Sequence, residues 1–237
     1  MTGPSAGSHT IGDASDPVAR LRPVREQVAV GPLRLRIARP PSAEDLIDED
    51  DYARDERLPY WAELWPSARV LAERLAVGGR PATAGRRVVE LGCGVGVPAI
   101  VAALAGADVL ATDWYEEALA FTRHNAAANG ARLGTLHVDW NAPPPALLDR
   151  PAADLVIGAD LLYEARNGGA LAALLPRILR PGGEALVADP RRPHADALID
   201  PLVAAGWRHD LEEVRYAGRP DESGSLIRLH RLIAPGG

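Results

Sequence analysis

The sequence predicts an α/β protein whose mostly parallel sheet is wound on both faces by helices. Three observations lead there. From Arg87 onward, short β-branched runs alternate with helical runs, and that alternation requires a parallel sheet covered on both sides. The first run, Val88-Val89-Glu90-Leu91, passes into Gly92-Cys93-Gly94-Val95-Gly96 and then an apolar helix. Successive strands also finish on or beside a carboxylate, at Glu90, Asp113, Asp139, Asp160 and Asp189. Ligands of open α/β sheets collect at those carboxyl ends.

The elements follow in order. Residues from Val18 to Arg39 read as strand. Residues 27–30 and 33–37 alternate on either side of the turn signal Gly31-Pro32, which predicts a hairpin. An acidic run comes next, from Glu44 and Asp45 through Asp48, Glu49, Asp50, Asp51 and Asp55 to Glu56. It reads as a solvated loop or short helix, or as a lip that draws in a cationic substrate. Residues 1–16 read as a disordered tail and 17–57 as an extension built from the hairpin and the acidic segment. The main domain is placed at 58–237.

Pro66-Ser67 open a helix over 68–75 that stops at Gly78-Gly79. Just before it stand Tyr60, Trp61 and Trp65, in a chain only 5% aromatic. They serve as core anchors or as a π wall against a cation. Strand Arg87–Leu91, helix 98–105, strand 108–112 and helix Glu116–Ala128 follow, the last capped by Asn129-Gly130. Then come strand 135–138, a loop over 141–152, strand 154–159 and helix 169–179, stopped by Pro181-Gly182-Gly183. Strand 184–188 and helix 194–205 complete the alternation. Strands 207–216 and Ser225–Ile233 have no helix between them, so the seventh and sixth strands form an antiparallel hairpin at the sheet edge.

Bulk properties exclude several classes. The 237 residues are 47% hydrophobic and 24% charged, enough for a substantial core. A net charge of −6 with no basic block argues against nucleic acid. One cysteine permits no intrachain disulfide and suits a reducing cytoplasm. The longest apolar stretch, 95–110, is broken by Gly96, Pro98, Gly106 and Asp108, so no membrane span is expected. The histidines lack paired ligand spacing, and no metal is expected.

The glycine turn narrows its own ligand. A dinucleotide fingerprint needs G-x-G-x-x-G, and Val97 stands where its last glycine belongs. A phosphate loop needs a lysine, and the chain has none. Glu90 would repel a pyrophosphate and suits a cationic or hydroxyl-rich ligand. Cys93 reads as a small turn residue rather than a nucleophile.

Residues 88–96 resemble the glycine-rich motif of class I methyltransferases, which bind S-adenosyl-L-methionine and release S-adenosyl-L-homocysteine. At the fourth strand's end, Gly158-Ala159-Asp160-Leu161-Leu162-Tyr163 lacks the N-P-P-[YF] sequence used on amides and base amines. Its Asp-x-x-Tyr resembles the seven-β-strand protein-lysine methyltransferases. That group includes the enzymes acting on the electron-transfer-flavoprotein β subunit and on valosin-containing protein. The likeness extends to Pro59-Tyr60-Trp61, Trp65-Pro66 and Asp139-Trp140, and covers roughly residues 58–190.

The resemblance implies a Rossmann-like, doubly wound, seven-stranded sheet. It implies a cofactor site made of Trp65, Glu90, Gly92, Cys93, Gly94, Gly96, Asp113, Trp114, Asp139, Trp140 and Ala159. Glu90 would receive the methionine ammonium, Asp113 the ribose diol and Asp139 the adenine amino group, with Trp114 lying on the adenine. Asp160 and Tyr163 are implied to be catalytic and to hold the acceptor, with Trp61 and Trp65 as walls.

The expected reaction is in-line methyl transfer to a lysine side chain of a protein. A lysine amine, with an ordinary pKa near 10.4, must be neutral to attack. Asp160 is expected to hold and orient its ammonium while the proton leaves to water. Two readings stand beside this one: methylation of a small, nicotinamide-like amine, and a non-catalytic cofactor-binding module. Intact Glu90, Asp113, Asp160 and Tyr163 oppose the second. The expected partner is a protein with an exposed lysine, or a small amine, with no nucleic acid and no membrane. A cytoplasmic monomer is expected.

Overall fold

The computed structural model describes residues 16–46, 58–218 and 224–236. The expected tail up to residue 15, and the acidic run from Asp48 to Glu56, lie outside the described residues. Asp16 caps a short helix, α1 (Pro17–Arg20), its Oδ1 accepting from the Val18 N–H at 2.9 Å. This corrects the strand expected from Val18. An Asp cap followed by Pro at the first helical position starts a helical turn instead. The hairpin is then formed by β1 (Val24–Val30) and β2 (Leu33–Arg39), paired antiparallel around Gly31 at φ +52°.

The main sheet contains β3 (Arg87–Leu91), β4 (Asp108–Asp113), β5 (Gly134–His137), β6 (Ala153–Ala159), β7 (Leu179–Asp189), β8 (Arg208–Tyr216) and β9 (Ser225–Ile233). Its order is β5-β4-β3-β6-β7-β9-β8. The first five of these neighbours run parallel, and β9 lies antiparallel to both β7 and β8. The C-terminal pair therefore sits at the edge as expected, with β9 inserted inside β8.

The helices are α2 (Pro66–Thr83), α3 (Val97–Leu104), α4 (Glu116–Ala128), α5 (Pro145–Leu148), α6 (Ala165–Ile178) and α7 (Asp196–Ala204). Alternate strand residues point to opposite faces. Val88, Leu155 and Ile157 pack with Leu71, Ile100 and Phe121 of α2, α3 and α4 on one side. Val89, Leu91 and Val156 pack with Leu171 and Leu174 of α6 and Leu198 of α7 on the other. Burial on both faces explains why these strands read as unbroken apolar runs.

Several boundaries differ from expectation for local reasons. Helix α2 runs beyond residue 75 to Gly79, where φ 54° and ψ −157° break it before helix resumes. The loop over 141–152 holds α5, which Pro145 starts from its first position. Helix α6 begins at Ala165 and accommodates Pro176 inside. Strand β7 begins at Leu179, paired with Ala153. Its ladder shifts register across Pro181-Gly182-Gly183 and resumes with Glu184 opposite Leu155. What reads as a stop is an irregularity within a strand.

Chain direction across the sheet reverses between β3 and β6, since β4 and β5 follow on one side and β7 on the other. The loops after β3 and β6 therefore diverge and leave a crevice. Among the described residues, no helix is long and apolar enough to cross a membrane. No cluster of three or more His, Cys, Asp or Glu that could hold a metal occurs among them.

Candidate active site

The glycine loop leaves β3 and turns into α3. Gly92, Gly94 and Gly96 take φ of 64°, 53° and 84°, a region that side chains rarely adopt. There is also no room for one. A Cβ on Gly92 would meet Leu161 Cδ2 at 2.8 Å, on Gly94 the Trp61 carbonyl oxygen at 3.0 Å, and on Gly96 Thr122 Oγ1 at 2.7 Å. The alternating glycines are thus fixed by both conformation and packing. Cys93 between them is buried, its Sγ 3.4 Å from Thr122 Oγ1, and burial pushes its thiol well up, so it stays protonated.

Two carboxylates organise the loop. Glu90 is 1% exposed, and its Oε2 accepts from the Ala99 N–H in the first turn of α3 at 2.9 Å. Asp113 Oδ2 accepts from the Gly94 N–H at 2.9 Å and Oδ1 from the Tyr115 N–H at 3.0 Å. Burial raises both carboxyls above their ordinary range despite these donors, and for Glu90 the nearby charge of Asp113 adds to the rise. A carboxylate has about four acceptor positions, so Asp113, which borders the cavity, keeps acceptor capacity for a ligand hydroxyl.

Every residue expected in the site except Gly96 borders one cavity. Gly96 lies behind it, as the residue that caps α3. Trp114 packs against His137 with ring centroids 5.3 Å apart, and Trp140 lies over Gly92. Asp139 Oδ1 accepts from the Asn141 N–H at 2.9 Å, which closes the turn after β5. Trp61 packs at a tilt against Phe121, with ring centroids 5.6 Å apart, and is a core anchor as well as a wall. Trp65 is held by its Nε1, which donates to the Tyr60 carbonyl at 2.9 Å.

A second, more open cavity lies beside the first. Leu58, Tyr60, Trp65, Asp160, Tyr163 and Glu164 border both. Asp160 has φ 56°, and its N–H donates to the Ala188 carbonyl at 2.8 Å, tying the end of β6 to β7. Tyr163 packs edge-on against Tyr60 at 5.3 Å. Burial first, and the negative charge of Glu164 next, push its hydroxyl well above the ordinary tyrosine value. Asn167 fixes the intervening loop through its Nδ2, which donates to the Leu161 carbonyl at 2.8 Å.

Sequence reasoning missed Arg192, whose Nε lies 2.9 Å from Asp160 Oδ1. The two residues stand 32 apart and meet only because β6 and β7 are neighbours. It also passed over Asn167, which sits in no motif.

The chain matches the lysine methyltransferase family over residues 55–198. It belongs to that family. The matched segment holds the glycine loop, Asp113, Asp139, Asp160, Tyr163 and Arg192, and omits the hairpin and β8–β9. Among curated relatives, "Protein N-lysine methyltransferase METTL21A" of Danio rerio is 32% identical over 183 residues, covering 75% of this chain and 79% of that one. The electron transfer flavoprotein beta subunit lysine methyltransferase of Danio rerio is 32% identical over 142 residues, covering 56% of this chain and 51% of that protein. The histone-arginine methyltransferase METTL23 of Xenopus laevis is 35% identical over 111 residues, covering 46% and 47%. The matches thus span about half the length of the last two relatives. Among solved structures, SMU.776 complexed with SAH superposes with a TM-score of 0.64 over 89% of this chain and 56% of that one. At 12% identity it shows the shared fold alone.

Proposed function

We propose that this protein is an S-adenosyl-L-methionine-dependent methyltransferase that methylates a lysine side chain of a protein partner and releases S-adenosyl-L-homocysteine. One observation carries the reading: Asp160 and Tyr163 stand on the wall shared by two cavities, one of which is lined by the glycine loop. Such a wall is where a methyl donor and an acceptor would meet. Family membership and the lysine-specific relatives support the same reading.

The residues fit the cofactor. Gly92 and Gly94 bring side-chain-free backbone to the cavity wall, and the two buried carboxylates favour a cationic, diol-bearing ligand. S-Adenosyl-L-methionine supplies an already activated methyl, so the protein's work is alignment. Glu90 would hold the methionine ammonium, Asp113 the ribose hydroxyls and Asp139 the adenine amino group. Trp65, Trp114 and Trp140 would bound the ligand, with Cys93 and Ala159 lining the floor. Asp160 would orient the acceptor amine, Tyr163 would shape its channel, and Trp61 would back the wall.

The partner's lysine would enter from the second cavity. We place the protein in the cytoplasm as a monomer acting without nucleic acid or membrane. A single buried thiol and a net charge of −6 support that placement. Asp160→Asn tests the assignment. Calorimetry should show cofactor affinity within about threefold of wild type, while turnover on lysate protein falls about 100-fold. Equal losses of affinity, with turnover surviving, would assign Asp160 to the cofactor instead.

A further inference from the structure

Asp160 is not a free carboxylate. Its Oδ1 is 2.9 Å from Arg192 Nε, and its side chain is 6% exposed. Among the described residues no donor reaches Oδ2, and Asp160 borders both cavities. One oxygen is neutralised by the protein and the other is left for a ligand.

The ion pair is held by an unusual backbone. Asp160 and Arg191 are left-handed, at φ 56° and 65°, although neither is glycine. Such conformations cost about 1–3 kcal/mol each and persist where the surroundings over-determine them. Here Asp189 does so. It is fully buried, and its Oδ2 accepts from the Arg192 N–H at 2.9 Å, aiming the guanidinium back across to β6. Asp189 Oδ1 has no partner, so the guanidinium offsets two carboxylates. The other charged or titratable side chains bordering the second cavity are Glu164 and Arg166, paired with each other, and the neutral phenols Tyr60 and Tyr163.

We propose that Arg192 is a positioning residue that half-neutralises Asp160, so that an acceptor amine held at Oδ2 reacts in its uncharged form. This rests on the methyltransferase reading above. An unscreened carboxylate would hold a lysine as ammonium, which has no lone pair to attack with. A guanidinium on the same carboxylate puts a like charge within a few ångströms of the amine and favours loss of its proton to water. The neutral nitrogen then attacks the methyl carbon. The carbon–sulfur bond breaks with its electron pair passing to sulfur, and the methylated ammonium loses a second proton to water. Arginine suits the role because it stays charged at every working pH.

The test compares wild type, Arg192→Gln and Arg192→Lys. Initial rates of tritium transfer from S-adenosyl-L-methionine into lysate protein are followed from about pH 6.5 to 9.5. Arg192→Gln should move the rise of rate with pH upward by about one unit, roughly a tenfold loss at neutral pH that recovers at high pH. Its KM for the acceptor should fall rather than rise, because the bare carboxylate holds the ammonium more tightly. Arg192→Lys should keep the inflection near that of wild type. Calorimetry should show S-adenosyl-L-homocysteine bound alike by all three, which a merely structural residue would not allow. A uniform loss at every pH, equal shifts in both variants, or lost product binding would overturn the proposal. If wild type transfers no label at any pH, the methyltransferase reading itself falls and this inference with it.

Discussion

Asn125 of α4 holds both backbone groups of Ala38 in β2. Its Oδ1 accepts from the Ala38 N–H at 2.8 Å, and its Nδ2 donates to the Ala38 carbonyl at 2.9 Å and to the Val95 carbonyl at 3.0 Å. One turn later, Asn129 repeats the grip on Arg36, at 2.9 and 2.8 Å. Two strand residues advance about 6.7 Å and one helical turn about 5.4 Å, so the two amides match the spacing of one strand edge. The hairpin edge is thereby satisfied without joining the sheet, and it is tied through Asn125 to the glycine loop.

Asn125→Leu should therefore destabilise the protein by about 3 kcal/mol, because it strands one buried N–H and two carbonyls. Urea unfolding measures this directly. Asn129→Leu, at a partly exposed position, should cost clearly less. Equal costs would contradict the bridging role.

Gly96→Ala should lose more stability than Gly130→Ala. Both glycines are left-handed, at φ 84° and 69°, which costs an L-residue about 1–2 kcal/mol. Only at Gly96 would the new Cβ collide with Thr122, while nothing lies within 4 Å of it at Gly130. Thermal unfolding ranks the two. Calorimetry should show cofactor affinity lost in the Gly96 variant alone.

Cofactor binding should release protons. The Glu90 and Asp113 carboxyls sit above their ordinary range in the free protein because they are buried. A bound cation favours the charged carboxylate, so binding should strengthen as pH rises through the acid range. Calorimetry in buffers of different ionisation enthalpy reads the proton count. Glu90→Gln should bind about tenfold more weakly or worse and release fewer protons.

Acid should destabilise the protein through His230. It is 2% exposed, its Nδ1 lies 3.0 Å from His209 Nε2, and its Nε2 has no partner. Burial first, and the neighbouring His209 next, lower it from 6.5 to about 4. The unfolded chain takes the proton first, so this contribution is full above 6.5 and drains away between 6.5 and about 4. It amounts to at most about 3 kcal/mol. His230→Leu should flatten that part of the stability profile in urea melts; an unchanged slope would assign the acid sensitivity elsewhere.

Much of the fold was legible because its signals are local. The β-branched run ending at Glu90 and the glycines after it dictate a strand and a tight turn from neighbours alone. The carboxylates at successive strand ends pointed to one rim, and all of them but Asp189 border the site cavity. The missed features depend on distance in space. Arg192 reaches Asp160 only through the pairing of β6 with β7. Asn125 reads as an ordinary helix position until β2 is laid beside it. The start of β7 was hidden because Pro181-Gly182-Gly183 reads as a stop, whereas the neighbouring strand tolerates the irregularity.

The central claim is amine methylation of protein lysine, and the identity of the methylated atom tests it most directly. Lysate protein labelled with tritiated S-adenosyl-L-methionine would be hydrolysed to amino acids and separated, with wild type beside Asp160→Asn. The account predicts label in methyllysine that the Asp160 variant loses. Label in methylarginine, or only in the small-molecule fraction, would contradict it.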